Sequence, residues 1–173
     1  MPTLIENLVN QPGFSRIRRN HGLEHAAIHI LSKKHPGKPL AGHSDRGGFW
    51  LFGDLSSEQI QAGVDEALAR LRAGESGLAI HPNCGTNLVT SGMMAGMAGA
   101  LAMSGVGPRS RDKAERLPLA AFLATLALIA AKPAGTRIQQ RITTSGDPGD
   151  LEVVDISPTQ RKGLKAHRVT TQG

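Results

Sequence analysis

The chain has 173 residues, of which 39% are apolar and 3% aromatic, and its formal net charge is +6 at neutral pH. This length allows one ordinary domain, or a small domain with an attached module. The single cysteine excludes an internal disulfide, and the scarcity of aromatic rings argues against a nucleic-acid partner, because single-strand binders stack bases on such rings. The basic excess suits an anionic partner such as a membrane surface, although solubility alone would explain it equally well.

The first predicted element is a helix that runs to about Leu31, with a break near Gln11-Pro12-Gly13. Its stretch His21-Gly22-Leu23-Glu24-His25 places two imidazoles four residues apart, which puts them on one face of the helix. Two imidazoles and a carboxylate crowded together are costly to bury without a cation. The pattern therefore predicts that His21 and His25 bind one metal ion.

Glu24 is expected to have a different role from the two histidines. It lies on the adjoining stripe of the helix, three residues from His21, where a carboxylate can act as general base beside a metal-bound water. The remaining histidines outside the motifs occur in predicted loops or in the C-terminal tail, where they are expected to face solvent: His35, His43 and His167.

A short apolar strand, Phe49-Trp50-Leu51-Phe52, is predicted after a glycine-containing loop. Ser56 and Gln59 then form the pattern of a capping box, which opens a helix that runs to about Ala73. Its buried side is formed by apolar residues at helical spacing: Ile60, Val64, Leu68 and Leu71. A second short strand, Leu78-Ala79-Ile80, is predicted to follow.

The second candidate metal-binding stretch is His81-Pro82-Asn83-Cys84-Gly85-Thr86. Its imidazole and thiolate are three residues apart, and with His21 and His25 they would complete a nitrogen and sulfur set of the kind that zinc prefers. Alternatively the stretch is only a turn and a helix cap with Cys84 buried as a small apolar residue, or the thiol is a nucleophile with His81 or His25 as base. His29, one turn beyond His25, could be a ligand or could orient one.

Two apolar runs predict a helical hairpin. The segment from Gly77 to Pro108 carries no Asp, Glu, Lys or Arg, and within it Thr86 to Val106 is long enough to cross the ~30 Å hydrocarbon layer. After a charged link, Arg109 to Arg116, a shorter run follows from Leu117 to Ala131. This run spans a bilayer only if Lys132 snorkels and the helix continues to Gly135.

The hairpin could lie in a membrane or be buried inside a soluble domain. We favour the membrane because few soluble helices match the uncharged length of the first run. Gly92, Gly96 and Gly99 form a small-residue face suited to tight helix pairing, which predicts a homo-oligomer.

Beyond the hairpin, two strands are predicted, Arg137 to Thr144 and Leu151 to Ile156, with a turn between them. The chain from Ser157 onward is rich in Lys and Arg and poor in apolar residues. It is expected to be a loose basic tail that could contact an anionic membrane surface.

The two histidine motifs resemble those of small bacterial proteins of unknown function, many of them membrane proteins. These proteins pair a His-Gly-x-Glu-His block with a later His-Pro-x-Cys-Gly-Thr block ahead of a hydrophobic helix. The similarity covers roughly Arg16 to Ile156, including the region Thr143 to Asp147. Some related proteins are described as metal-dependent enzymes, which implies a metal role for the matching residues.

His-x-x-Glu-His is also the inverted signature of zinc proteases. That resemblance covers five residues only, and a downstream glutamate ligand is not identifiable, so peptidase activity is not inferred.

These features predict an α+β protein in three parts. Residues 1–84 would form a small α/β unit carrying the metal site, residues 85–135 the apolar hairpin, and residues 136–173 a β-hairpin and basic tail. The predicted function is a membrane-associated zinc hydrolase of unknown substrate, located at the cell membrane, or in the cytoplasm if the hairpin is buried. The metal would be held by His21, His25, His81 and Cys84, with Glu24 as general base. A non-catalytic protein with a closed zinc site, or a Cys84-dependent thiol enzyme without metal, are the alternatives.

Overall fold

The computed structural model describes residue 7, residues 9–161 and residues 163–173. Within these residues, four α-helices accompany a four-stranded antiparallel sheet, which is the α+β class that the sequence predicts. In chain order the elements are α1 (Pro12–Lys34), β1 (Ala41–Asp45), β2 (Gly48–Phe52), α2 (Ser57–Arg72), a 3₁₀ turn (Ser76–Ala79), α3 (Gly85–Met103), α4 (Ser110–Ile138), a π turn (Gln139–Thr143), β3 (Glu152–Arg161) and β4 (Leu164–Gln172).

The chain divides into two compact units. Unit 1 comprises the residues up to His81 together with those from Gln140 onward, and unit 2 comprises Pro82–Gln139. Unit 1 therefore contains the sheet, α1 and α2, and is discontinuous in sequence. Unit 2 contains α3 and α4.

Helices α1 and α2 form the core of unit 1 together with the sheet. Helix α1 begins with Pro12, which lacks the N–H that would otherwise be unsatisfied there. Helix α2 begins at a complete capping box, in which Ser56 accepts from the Gln59 N–H and the Gln59 side chain accepts from the Ser56 N–H. All four of its predicted core positions are buried, and they share one cluster with Leu23, Leu31, Phe49, Leu51 and Val169.

The strand order of the sheet is β1-β2-β4-β3, so that the last strand in sequence lies inside it. Phe49 of β2 is opposite Val169 of β4, and β4 pairs with β3 along its other edge. Asn20 of α1 is fully buried and joins the helix to two strands of the sheet, β1 and β4. Its Nδ2 donates to the Asp45 carbonyl at 2.9 Å, and its Oδ1 accepts from Thr171 at 2.7 Å.

The C-terminal β-hairpin is present, but it lies further along the chain than expected. The predicted strand Arg137 to Thr144 is wrong, because α4 continues to Ile138 and ends in a π turn. The prediction of a loose tail from Ser157 is also wrong, since this region completes β3 and forms β4. His167, expected to face solvent, is 5% exposed, and its Nε2 is 3.2 Å from the Ser57 hydroxyl oxygen.

The predicted strand Leu78-Ala79-Ile80 is wrong as well. These residues lie in and just after the 3₁₀ turn, where the Leu78 N–H donates to the Glu75 carbonyl and the Ile80 N–H to the Gly77 carbonyl. The carbonyls of Ala79 and Ile80 accept from histidine side chains instead of from a neighbouring strand. Three apolar residues in a row are too few to distinguish a strand from a 3₁₀ turn in the sequence.

In unit 2, α3 and α4 pack as an antiparallel hairpin. Gly135 lies against Asn87 near one end, and the Arg116 Nε donates to the Ala102 carbonyl at 3.1 Å near the other. The predicted link Arg109 to Arg116 is mostly helical, because α4 already begins at Ser110. The less exposed residues of α3 include several with small side chains: Ser91, Ala95, Ala98 and Ala102.

Candidate metal centre

Three histidines form a row along α1, at positions 21, 25 and 29. Each is held by a backbone carbonyl that contacts one ring nitrogen. His21 Nδ1 is 2.9 Å from the Thr143 oxygen, His25 Nδ1 is 2.8 Å from the Ala79 oxygen, and His29 Nε2 is 2.8 Å from the Ile80 oxygen. Because a carbonyl only accepts, the contacting nitrogen carries the proton, and the lone pair of the neutral ring is at the other nitrogen. This is the usual way in which proteins orient imidazoles that ligate metals.

His81 extends the row across the end of the 3₁₀ turn. Its ring centroid is 5.6 Å from that of His25 and 4.7 Å from that of His29, while the His21 and His25 centroids are 4.3 Å apart. Burial, followed by the proximity of His29 and His25, lowers the pKa of His81 to about 4. The ring is therefore neutral at physiological pH, which is the form that binds metals.

One ligand atom from each of His21, His25 and Cys84 lies within 4.8 Å of the other two. The Cys84 residue is 5% exposed. Two imidazoles and a thiol at these separations could hold a metal ion, and the combination of nitrogen and sulfur donors is chemically suited to zinc.

Glu24 faces strand β1. Its Oε2 accepts a hydrogen bond from the Ser44 hydroxyl, and a Cβ atom at Gly42 would overlap its carboxyl group. Gly42 and Ser44 are two residues apart, so they share the face of β1 that meets the carboxyl. The side chain is nearly fully buried, with the residue 4% exposed.

Burial raises the pKa of the Glu24 carboxyl, an effect that the Ser44 hydrogen bond and the charge of His21 oppose. A carboxyl group whose pKa moves toward neutrality is suited to accepting and releasing a proton at physiological pH.

Gly22, which follows His21 in the first motif, occupies a position where a larger residue would not fit. A Cβ atom at Gly22 would overlap the Ser145 carbonyl oxygen and lie 3.0 Å from the carbonyl carbon. The Ser145 N–H donates to the Arg18 carbonyl at 2.9 Å, and Gly146 lies against Ser76. Segment 143–146 is thereby fixed between α1 and the 3₁₀ turn, with Thr143 positioned to hold His21.

Sequence reasoning did not identify the groups that orient these side chains. The carbonyls of Ala79, Ile80 and Thr143 belong to the backbone, so no residue type signals them. The alternating small residues Gly42 and Ser44 were the available signal for the Glu24 contact.

The acidic residues on either side of β2, Asp45 and Asp54, form ion pairs with basic residues of β4. Asp45 accepts two hydrogen bonds from Arg168, and Asp54 pairs with Lys165. Of the histidines expected to face solvent, His43 is exposed and His35 is half-buried.

Comparison with known proteins places the chain in a family. The model of a domain of unknown function, DUF6391, matches residues 16–156. An uncharacterised protein of Picosynechococcus sp. (strain ATCC 27264 / PCC 7002 / PR-6) is 34% identical over an alignment covering 95% of this chain and 86% of that protein. No solved structure matches the chain.

Proposed function

The chain belongs to the DUF6391 family, whose domain has no assigned function, and we propose from its site that it is a membrane-associated, metal-dependent hydrolase. The observation that supports this best is the pairing of two features. The ligand atoms of His21, His25 and Cys84 converge within 4.8 Å, and both imidazoles are oriented by backbone carbonyls. Core histidines without a ligand need no such convergence with a thiol.

The proposed ion is zinc, held by His21, His25 and Cys84. Three protein ligands leave a coordination position open, as in catalytic zinc sites, and a bound zinc ion supplies Lewis acidity and an acidified water. Glu24 would accept a proton from the attacking water as the water oxygen bonds to the substrate. It would then return the proton to the leaving group as the scissile bond breaks.

A second candidate function is a non-catalytic protein with a structural zinc site. The observation that favours it is the position of His81, whose ring lies beside His25 and is neutral. If His81 is a fourth ligand, the tetrahedral set is closed and no position remains for water.

Metal analysis of the purified protein tests the metal centre. We expect about one zinc ion per chain, with X-ray absorption showing two imidazoles and one sulfur among its ligands. Four protein ligands would establish the structural site instead, and a protein that takes up no divalent metal would refute both proposals.

Variants separate ligands from the general base. His25→Ala should lose most of the metal, because it removes a ligand, whereas His43→Ala changes an exposed histidine and should retain it. Glu24→Gln should also retain the metal and nearly the wild-type melting temperature, since the amide has the shape of the carboxyl. It should lower any hydrolytic rate by about 10²–10⁴-fold. Loss of metal from Glu24→Gln would show that this residue is a ligand or a structural partner.

Membrane association is supported by α4 and its extension. Among the described residues, the segment Ser110–Thr143 is long and apolar enough to cross a membrane, and 11% of its most apolar window is buried. A core helix of a soluble protein would be mostly buried. The protein should therefore remain with membranes through carbonate washing, and recovery in the soluble fraction without detergent would refute the association.

We also propose that α3 mediates self-association within the membrane. Cβ atoms added at Gly92, Gly96 or Gly99 would meet no atom within 4 Å, so this small-residue face is not used in packing against α4. Glycines at this spacing allow two helices to approach closely. Gly96→Leu should weaken chemical crosslinking between copies, whereas Met97→Leu on the neighbouring stripe should not.

A further inference from the structure

We propose that the α3–α4 hairpin crosses the full hydrocarbon layer, so that its tip and its two ends reach the lipid headgroups of opposite leaflets. The proposed membrane association leaves open whether the hairpin spans the bilayer or lies along its surface. The inference rests on that association but not on the metal centre.

The charged residues of the hairpin occur in two bands. The first is at the tip, where four basic and two acidic residues occur within eight positions: Arg109, Arg111, Asp112, Lys113, Glu115 and Arg116. The next charged residue along α4 is Lys132, and α3 carries none. A helix on the surface of a soluble domain would instead carry charges along its outer face.

The apolar segment between these bands has no polar face. From Leu117 to Ala131, Thr125 is the one residue with a polar side chain, and its hydroxyl donates to the Ala121 carbonyl of the same helix at 2.8 Å. A helix that lies in the plane of the interface needs a charged or polar face toward water. A helix that crosses the hydrocarbon needs its polar groups satisfied internally, as they are here.

The outward surface of this segment is apolar and exposed. Six large side chains of α4 are at least 40% exposed: Leu117, Leu119, Phe122, Leu126, Leu128 and Ile129. They recur all along the segment between the charged bands, and burying them among acyl chains would remove this apolar surface from water.

The lengths of both helices match the bilayer. The 19 residues of α3 extend over about 28 Å. Arg116, whose Nε donates to the Ala102 carbonyl, is separated from Lys132 by about 24 Å along α4. Arg111 is separated from Lys132 by about 31 Å, close to the ~30 Å needed. The basic tip would then contact the phosphates of the far leaflet.

Cysteine labelling in sealed membrane vesicles of one orientation tests the crossing. Ser32→Cys marks an exposed position on α1 of unit 1, and Ser110→Cys marks the exposed start of α4 at the tip. A membrane-impermeant maleimide should modify one of them in sealed vesicles and the other only after the vesicles are opened. Wild-type protein, whose one cysteine is buried, gives the background.

Met97→Cys provides the matched control within the apolar band, where Met97 is 61% exposed. In opened but undissolved membranes this thiol should stay unmodified, because hydrocarbon excludes the reagent. Equal labelling of positions 32 and 110 in sealed vesicles would overturn the crossing and show that the hairpin lies on one surface. Rapid labelling at position 97 would show that the face is exposed to water.

These outcomes separate the two proposals. Carbonate extraction that releases the protein refutes membrane association itself. Resistance to carbonate combined with labelling of both positions from the same side refutes the crossing alone, and neither result bears on the metal content.

Discussion

Each residue that defines the first histidine motif makes a specific contact. His21 and His25 are oriented by carbonyls, Glu24 accepts from Ser44, and Gly22 leaves room for the Ser145 carbonyl. The spacing of the motif was sufficient to predict that the two imidazoles lie together on one face of a helix. It could not indicate which backbone segments hold the side chains, because those segments lie far away in sequence.

Gly22→Ala should destabilise the protein, although alanine is the better helix former by about 1 kcal/mol. The added methyl group would overlap a backbone carbonyl that cannot rotate away. We expect a loss of at least about 1–3 kcal/mol in the free energy of unfolding, as for other overpacked sites. Chemical denaturation of the purified protein measures it.

Gly77→Ala is the matched control for this substitution. It lies in the neighbouring 3₁₀ turn, where an added Cβ would meet nothing within 4 Å. Its stability should stay close to that of the wild type. Equal losses at both positions would contradict the steric explanation.

At the scale of elements, the sequence patterns correctly predicted those helices and strands that depend on residues close together in the chain. The capping box at Ser56 correctly predicted the start of α2, and the apolar run Phe49 to Phe52 correctly predicted β2. The segment Arg137 to Thr144 was misjudged because a helix that continues into a π turn has no sequence signal of its own there. Strand β4 was missed because its inward side alternates His167, Val169 and Thr171, of which only one is strongly apolar.

Asp45 and Arg168 join the end of β1 to the middle of β4. The guanidinium donates to both carboxylate oxygens, at 2.7 and 2.8 Å, and this lowers the pKa of Asp45, with partial burial opposing. Because the folded-state pKa is below the unfolded value of about 3.9, the stabilisation is fully present above that pH. It is lost as the pH falls through the folded-state pKa.

Asp45→Asn should therefore lower stability at neutral pH, by about 0.5–1 kcal/mol given the partial exposure of the pair. The difference from the wild type should vanish at low pH, as measured by melting temperature between pH 2 and 7. Asp54→Asn removes an ion pair whose side chains are 72% and 68% exposed, and its effect should be smaller. A difference in melting temperature between Asp45→Asn and the wild type that stays constant across the pH range would show that the ionised carboxylate of Asp45 is not the source of the stabilisation.

At the scale of the molecule, the C-terminal segment belongs to the core of unit 1. Val169 of β4 is fully buried, whereas Val154 of β3 is 55% exposed. Val169→Asp would bury a charge without a partner, which costs several kcal/mol, so this variant should fail to fold. Val154→Asp should fold normally, and circular dichroism with limited proteolysis distinguishes the two. Tolerance of Val169→Asp would restore the loose-tail interpretation.

The order of strands has a consequence for the timing of biosynthesis. Strand β2 leaves the ribosome early, but its partner β4 begins only at Leu164, after the entire hairpin has been made. At about 5–20 residues per second, the intervening chain takes on the order of ten seconds to synthesise. Throughout that interval one edge of β2 is unpaired, and until Thr143 has been made His21 lacks the carbonyl that contacts its ring. The α3–α4 hairpin is therefore complete while unit 1 is still open, and the backbone contacts of the proposed metal centre form only when the segment just before β3 has been made.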